Sequence, residues 1–160
     1  ECGQTISAPS MVALMTEALQ VEPEHAVLEV GTGSGFQAAV LAHLAREVFT
    51  VERYRALLTL AEERFAALRL HNVTARLGDG AEGWPEKAPF DRIVVTAAAT
   101  EVPPALVAQL KLGGIVVLPV GAEGAPQKLL KVVRLADRTE TTELCDVRFV
   151  PLVPGVASRL

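Results

Sequence analysis

Apolar positions in the first 120 residues alternate between short continuous runs and longer stretches with helical spacing. Continuous runs are typical of strands buried on both faces, whereas apolar residues three and four positions apart are typical of an amphipathic helix. The continuous runs predict five strands, at residues 26–30, 48–52, 73–77, 91–96 and 115–120. The helical spacing predicts four helices, at residues 11–19, 37–44, 54–68 and 104–110.

The last forty residues have a different pattern, because two strand-like runs follow one another there with no helical stretch between them. These runs, at residues 128–135 and 143–152, predict an antiparallel hairpin. The whole pattern predicts a doubly wound α/β fold, in which a mostly parallel seven-stranded sheet carries helices on both faces and ends in that hairpin. Ligands of such sheets bind at the carboxyl ends of the strands, so the chemistry is expected there.

Composition narrows the class of protein. The 160 residues have the length of one ordinary domain, and we expect a single domain over 1–160. The longest uncharged stretch, residues 30–45, is shorter than a membrane span. The net charge of −4 is the reverse of the basic excess typical of nucleic-acid-binding proteins. Cys2 and Cys145 lack the spacing of metal ligands, so we expect no metal site and reduced thiols.

A glycine-rich loop, Gly31-Thr32-Gly33-Ser34-Gly35, directly follows the first predicted strand. It differs from the GxGxxG pattern of dinucleotide-binding proteins, because Phe36 stands where the third glycine would fall. Glu52 ends the second strand, at a position from which a carboxylate can accept hydrogen bonds from both ribose hydroxyls. The loop and this acid together predict a nucleoside ligand.

Two further carboxylates belong to the same predicted edge of the sheet. Asp79 lies between Gly78 and Gly80 at the end of the third strand, within reach of an adenine amino group. Glu29 lies inside the first strand, where burial would be costly without hydrogen-bond donors. An anionic set of Glu29, Glu52 and Asp79 suits S-adenosylmethionine, whose ammonium and sulfonium are cationic, better than it suits a pyrophosphate.

Six segments distributed over nearly the whole chain carry a resemblance to a known family. They are Gly3–Pro9 (GQTISAP), Val27–Gln37, Val51–Arg53, Gly78–Trp84, Ala97–Ala99 and Phe149–Leu152. With these residues the chain resembles the protein-L-isoaspartate (D-aspartate) O-methyltransferases, within the class I S-adenosylmethionine-dependent methyltransferases. The glycine loop is common to that whole class, whereas the GQTIS and VPL segments are more particular to the family.

The resemblance implies a Rossmann-like methyltransferase fold and a repair enzyme that methylates the carboxylate of L-isoaspartyl residues in damaged proteins and peptides. It implies S-adenosyl-L-methionine as methyl donor and S-adenosyl-L-homocysteine as product. The implied substrate-binding residues are Thr5, Ile6, Ser7, Val150 and Leu152, with Ser7 as the catalytic residue against the reacting carboxylate. The implied cofactor-binding residues are Glu29, Gly31, Thr32, Gly33, Ser34, Gly35, Glu52, Arg53, Asp79 and Gly80.

Other interpretations remain open at this point. On local sequence alone, Ser7 is equally well explained as the N-cap of the first helix, ahead of Ala8 and Pro9. The chain is alternatively a methyltransferase for a small molecule or nucleic acid, or a cofactor-binding domain without activity. A nicotinamide-dependent oxidoreductase is a more distant alternative. Nucleic-acid bases are disfavoured by the net charge and by the Thr96–Ala99 sequence that ends the fourth strand.

The resemblance also sets expectations for the context of the enzyme. In the family a helical segment precedes the GQTIS sequence, and we expect this chain to lack it. We expect a cytoplasmic monomer whose partners are isoaspartyl proteins or peptides, with no nucleic-acid or membrane partner. Because carboxylates are already ionised at neutral pH, their methylation needs no general base, in agreement with the residues available.

Overall fold

The structure is a computed structural model that describes residues 7–158. Seven strands form one sheet: β1 Ala26–Val30, β2 Glu47–Glu52, β3 Val73–Leu77, β4 Phe90–Val95, β5 Leu110–Val120, β6 Gln127–Arg134 and β7 Thr139–Val147. Four α-helices accompany it: α1 Pro9–Leu19, α2 Phe36–Ala42, α3 Arg55–Ala67 and α4 Pro104–Ala108. Short 3₁₀ turns at Gly80–Glu82 and Pro85–Lys87 connect β3 to β4.

The strand order is β3-β2-β1-β4-β5-β6-β7. Strands β1 to β5 pair in parallel, whereas β6 pairs antiparallel with both β5 and β7. The chain therefore reverses its direction of winding between β1 and β4, which opens a crevice at the carboxyl ends of these two strands. The prediction of a doubly wound, mostly parallel seven-stranded sheet with a C-terminal antiparallel hairpin is confirmed.

Apolar side chains fill both faces of the sheet. Helices α1, α2 and α3 cover one face with buried residues that include Met15, Leu41 and Phe65. Helix α4 and the turns after β3 cover the other face, where Trp84 packs edge-on against Phe49 with ring centroids 5.6 Å apart. The central strand β1 is buried along its whole length, which explains its continuous apolar sequence. None of the helices among residues 7–158 is long and apolar enough to cross a bilayer.

The predicted N-cap role of Ser7 is wrong. Helix α1 begins at Pro9, its N-cap is Ala8, and no side chain hydrogen-bonds to the first turn. Proline at the first helical position has no N–H to satisfy and a backbone angle that already suits a helix, so the helix starts without a hydroxyl cap. The Ser7 side chain is therefore free for another role.

Two predicted elements in the second half of the chain have different limits. Helix α4 ends at Ala108 rather than Leu110, and β5 begins at Leu110 rather than Ile115. Gly113 and Gly114 lie inside β5, where the pairing with β4 shifts register. A side chain on Gly114 would come within 2.8 Å of the Lys111 carbonyl oxygen, so glycine permits this irregularity.

The limits predicted for the last strand, 143–152, are wrong, because β7 spans Thr139–Val147 and the chain then leaves β6. The Gln127 side chain accepts a hydrogen bond from Phe149 N–H at 2.7 Å and donates one to Phe149 O at 3.0 Å. Beyond it, Ala98 N–H donates to Val150 O and Leu152 N–H donates to Ala98 O, both at 2.7 Å. This C-terminal segment, residues 148–158, thus returns to the carboxyl end of β4.

Candidate functional site

The glycine loop links β1 to α2 at the crevice and needs its glycines for two reasons. Gly31, Gly33 and Gly35 all have positive φ, at 96°, 53° and 84°. A side chain on Gly31 would lie 2.5 Å from Thr96 Oγ1, and one on Gly35 would lie 2.8 Å from the Phe65 ring. Nothing lies within 4 Å of the corresponding position at Gly33, which faces open space. The loop is therefore packed on both sides and open in its middle.

Side chains from two other elements hold this loop in place. Arg64 on α3 donates from Nη1 to Ser34 O at 2.8 Å. Thr96, directly after β4, donates from Oγ1 to Gly31 O at 2.8 Å. Neither residue was identified from the sequence, because both are at least 30 positions from the atoms they bind and no local pattern marks them.

A cavity of about 350 Å³, called the main cavity because it collects most of the predicted site residues, lies over the carboxyl ends of the central strands. This volume falls in the usual range for small-molecule sites, roughly 300–1,000 Å³. The cavity brings together many of the residues predicted to form the site, namely Gly31, Gly33, Glu52, Arg53, Gly80, Val150 and Leu152. Tyr54 and Leu57, which were not predicted, also line it. One site thus collects residues that lie far apart in the sequence.

Glu52 is buried at the floor of this cavity and is held by backbone donors. Gly33 N–H donates to Oε2 at 2.9 Å, and Tyr54 N–H donates to Oε1 at 3.0 Å. Each carboxylate oxygen can accept a second hydrogen bond. The side chain is therefore fixed in orientation while it keeps acceptor capacity for a pair of hydroxyls.

Asp79 links the end of β3 to the C-terminal segment. Its Oδ1 accepts from Ala81 N–H at 2.9 Å, which caps the following 3₁₀ turn, and its Oδ2 accepts from Gly155 N–H at 2.7 Å. Gly155 O in turn accepts from Arg53 Nε at 3.2 Å, and Ala157 N–H donates to Arg53 O at 3.0 Å. The C-terminal segment therefore bridges the ends of β2 and β3.

Glu29 lies in the middle of the sheet and is completely buried. Its Oε1 accepts from the Thr50 hydroxyl at 2.7 Å, and Thr50 Oγ1 lies 2.6 Å from Thr32 Oγ1. Because Thr50 gives its proton to Glu29, Thr32 must be the donor in the second bond. Burial raises the pKa of Glu29 to about 8, opposed by the Thr50 bond and reinforced by the negative charge of Glu52.

Two smaller cavities adjoin the main one. The first, about 60 Å³, lies beneath the glycine loop and is lined by Glu29, Thr32, Gln37 and Ser7, among others. The second, about 200 Å³, is lined by Ser7, Met11, Thr96, Arg148, Phe149 and Val150. Thr96 lines all three cavities, and Ser7 lines the two smaller ones. Thr5 and Ile6, the remaining predicted substrate residues, lie outside the described part of the chain.

A doubly wound sheet with a glycine loop after β1 and an acid ending β2 is common to Rossmann-like nucleoside-binding proteins, and the class I methyltransferases are one class of them. Within that class, the family model described as "Protein-L-isoaspartate(D-aspartate) O-methyltransferase (PCMT)" matches residues 1–157. The chain belongs to this family, which confirms the resemblance inferred from the sequence.

Individual relatives agree with the family assignment. The chain is 60% identical to the protein-L-isoaspartate O-methyltransferase of Parvibaculum lavamentivorans, over 98% of this chain and 72% of that protein. It is 58% identical to the Azorhizobium caulinodans protein of the same name, over 99% of this chain and 73% of that protein.

Solved structures give the same result for the fold. A protein-L-isoaspartate O-methyltransferase superimposes with a TM-score of 0.87 at 30% identity, covering 94% of this chain and 49% of that one. A putative Plasmodium falciparum member, in complex with S-adenosyl-L-homocysteine, superimposes with a TM-score of 0.80 at 27% identity, covering 94% of this chain and 77% of that one. The present chain therefore spans about half of the first solved chain.

Proposed function

We propose that this protein transfers the methyl group of S-adenosylmethionine to the carboxylate of L-isoaspartyl residues in damaged proteins and peptides. One observation carries the proposal: in a chain of this family, the main cavity and the cavity beside Ser7 meet at Thr96. A methyl donor and a carboxylate acceptor need two adjoining sites of this kind.

The charges at the site fit the proposed cofactor. In S-adenosylmethionine a sulfonium makes the methyl group electrophilic. Glu52 would hold the ribose hydroxyls, while Arg53, Asp79 and Gly80 would surround the adenine. The glycine loop, residues 31–35, and Glu29 would hold the methionine end. The completely buried Glu29, with one oxygen lacking a partner, supports a polar ligand at this end of the site.

On the acceptor side, the chain needs to orient a carboxylate rather than activate it. Carboxyl groups with a pKa near ~4 are ionised at neutral pH, so no general base is required. We assign this orientation to the Ser7 hydroxyl, with Thr5, Ile6, Val150 and Leu152 forming the walls. Such positioning lowers the barrier when it holds reacting atoms about 3–3.5 Å apart. Apolar walls also exclude water, which favours a step in which charge is lost.

The test uses a peptide pair that differs only at one linkage. We expect the protein to form one S-adenosylhomocysteine per methyl ester with an isoaspartyl peptide, and none with the matching normal aspartyl peptide. Equal rates with both peptides would contradict the proposed substrate. Binding of S-adenosylhomocysteine without turnover of any isoaspartyl peptide would instead indicate a cofactor-binding domain.

The proposal also covers the partners, the location and the oligomeric state of the protein. The excess of acidic over basic residues supports protein or peptide substrates rather than nucleic acid. We propose a cytoplasmic monomer in which residues 1–160 form a single catalytic domain. Light scattering on the purified protein measures its oligomeric state directly.

A further inference from the structure

The cavity of about 200 Å³ beside Ser7 has a positively charged wall. We call it the acceptor cavity. Among the described residues that line it, Arg148 alone carries a charge, and the others are apolar or hydroxyl-bearing, such as Met11 and Ser7. An arginine stays protonated throughout the physiological pH range. The acceptor cavity therefore offers a fixed positive charge to whatever enters it.

Arg148 has no ionic partner within residues 7–158. None of the ion pairs in that range includes it, and the residue is exposed. Two other arginines of the C-terminal hairpin are engaged: Arg134 donates to two backbone carbonyls, and Arg138 pairs with Asp137 and Glu140. A guanidinium presents a planar fork of N–H donors that fits a carboxylate. In Arg148 this fork is available to a ligand.

The backbone on both sides of Arg148 is fixed by one residue. Val147, the last residue of β7, pairs with Gln127 in the sheet, and the Gln127 side chain bonds to both Phe149 N–H and Phe149 O. The base of the Arg148 side chain is therefore held beside the acceptor cavity. A group that is already held near its ligand loses less freedom on binding.

The position of Arg148 separates it from the reacting atoms. Thr96 and Val150 line both the main cavity and the acceptor cavity, whereas Arg148 lines only the second. Methyl transfer has to occur where the two cavities meet, so the reacting carboxylate belongs near Thr96 and Val150. Arg148 precedes Val150 by two residues, which is at most about 7 Å of chain. In an extended peptide that distance separates residues about two positions apart.

We propose that Arg148 binds the side-chain carboxylate of an aspartate or glutamate within two residues of the isoaspartyl residue, so that the enzyme favours acidic segments of damaged proteins. Arg148 is then a specificity residue, because it contacts the substrate away from the reacting atoms. The reacting carboxylate is left to Ser7, since a guanidinium bound to both its oxygens would make it a weaker nucleophile. This inference rests on the function proposed above.

Steady-state methylation by the full chain tests the proposal with a set of isoaspartyl peptides. The parent peptide has only neutral residues around the isoaspartyl residue, and each member carries glutamate or glutamine at one of the four positions within two residues of it. For at least one position, we expect KM to be about threefold to fivefold lower with glutamate than with glutamine, as for an ion pair partly open to water, with kcat unchanged within about twofold. High salt should reduce this preference. A wild-type enzyme without a preference at any position overturns the inference.

Variants of Arg148 assign the preference to its guanidinium. Arg148→Gln should raise KM for the acidic peptide to the value for the neutral one, whose own KM changes by less than about twofold. Arg148→Glu should reverse the preference, so that a peptide with lysine at the same position becomes the better substrate. Arg138→Gln removes the same charge at the turn between β6 and β7 and should keep the wild-type preference.

Cofactor affinity shows whether these variants fold. Arg148 does not line the main cavity, so S-adenosylhomocysteine should bind Arg148→Gln as tightly as it binds the wild type, within about twofold. If Arg148→Gln raises KM equally for the acidic and neutral peptides, the guanidinium binds a group that all substrates share, and the inference is overturned.

The wild-type protein distinguishes failure of this inference from failure of the proposed function. Methylation of isoaspartyl peptides with equal KM for glutamate and glutamine members overturns the inference while the proposed function stands. Binding of S-adenosylhomocysteine without methylation of any peptide in the set overturns both.

Discussion

Hydroxyl side chains do much of the positioning at the residue scale. The carboxylates were predictable from the sequence, because an acid inside or directly after a buried strand needs a reason to be there. Thr50 was not predictable, because its role comes from lying opposite Glu29 in the parallel pairing of β1 with β2. Thr96 likewise acts on Gly31, 65 positions away. These partners follow from strand register, which a local pattern does not contain.

Ser7→Ala tests the proposed contact with the substrate carboxylate. We expect turnover of an isoaspartyl peptide to fall by roughly tenfold to a hundredfold, because orientation is lost, while affinity for S-adenosylhomocysteine stays the same. Stability should also stay the same, since Ser7 does not cap α1. Ser10→Ala, at an exposed position of the same helix, is the control. Unchanged turnover in Ser7→Ala would remove Ser7 from the active site.

Thr96→Val and Thr96→Ser form a matched pair at the point where the three cavities meet. Valine keeps the shape of the side chain but removes the hydrogen bond to Gly31 O, whereas serine keeps the bond. We expect kcat with an isoaspartyl peptide to fall by about tenfold in Thr96→Val and to stay within about twofold of wild type in Thr96→Ser. Equal losses in both variants would show that packing, and not the hydroxyl, is what matters at this position.

At the scale of elements, the residues that flank a strand decide which limits the sequence predicts well. The bounds of β1 were predicted to the residue, because its continuous apolar run is fully buried and ends at Gly31. The bounds of β3 were also predicted to the residue, although its residues are only partly buried or exposed, because Asn72 and Gly78 flank it. The C-terminal segment was predicted as a strand because its residues 149–153 are apolar. Its hydrogen-bond partners are the loop residue Ala98 and the buried side chain of Gln127. No periodicity in the sequence indicates either contact.

Gln127→Met tests how this wall of the site is held. The variant removes both hydrogen bonds to Phe149, so the backbone bonds to Ala98 are left to hold Val150 and Leu152 less firmly. We expect KM for an isoaspartyl peptide to rise by several-fold, about the effect of one or two lost hydrogen bonds, with a smaller change in cofactor affinity. The control is Lys128→Met, at the next position along the chain, which removes an exposed ion pair with Asp146. A wild-type KM in Gln127→Met would show that other contacts fix the wall.

For the whole molecule, the topology explains why distant segments form one site. The winding reverses between β1 and β4, so the loops after β1, β2, β3 and β4 all open on the same edge of the sheet. The sequence predicted this edge correctly, since it depends only on the order of strands and helices. The periodicity did not predict that the C-terminal segment crosses the same edge, and only the resemblance placed Val150 and Leu152 at the site.

Gly155 and Ala157 form a bridge between Asp79 and Arg53. We predict that this bridge supports the nucleoside end of the site. The main cavity exists with this bridge in place, and Val153 lines it, so the bridge acts as a wall and not as a plug. A chain ending after Val153 loses all three bonds, whereas one ending after Ala157 keeps them. We expect only the shorter chain to bind nucleosides more weakly, by roughly tenfold.

Two ligands, S-adenosylhomocysteine and 5′-methylthioadenosine, which lacks the amino-acid end, locate this loss within the site. Removal of the bridge should weaken S-adenosylhomocysteine and 5′-methylthioadenosine equally, because it opens the nucleoside end that both share. The affinities of both ligands for the two shortened chains, measured by calorimetry, test whether the loss is equal. Tighter nucleoside binding by the shorter chain would mean that Gly155 competes with the adenine for Asp79, and the wall interpretation would then be wrong.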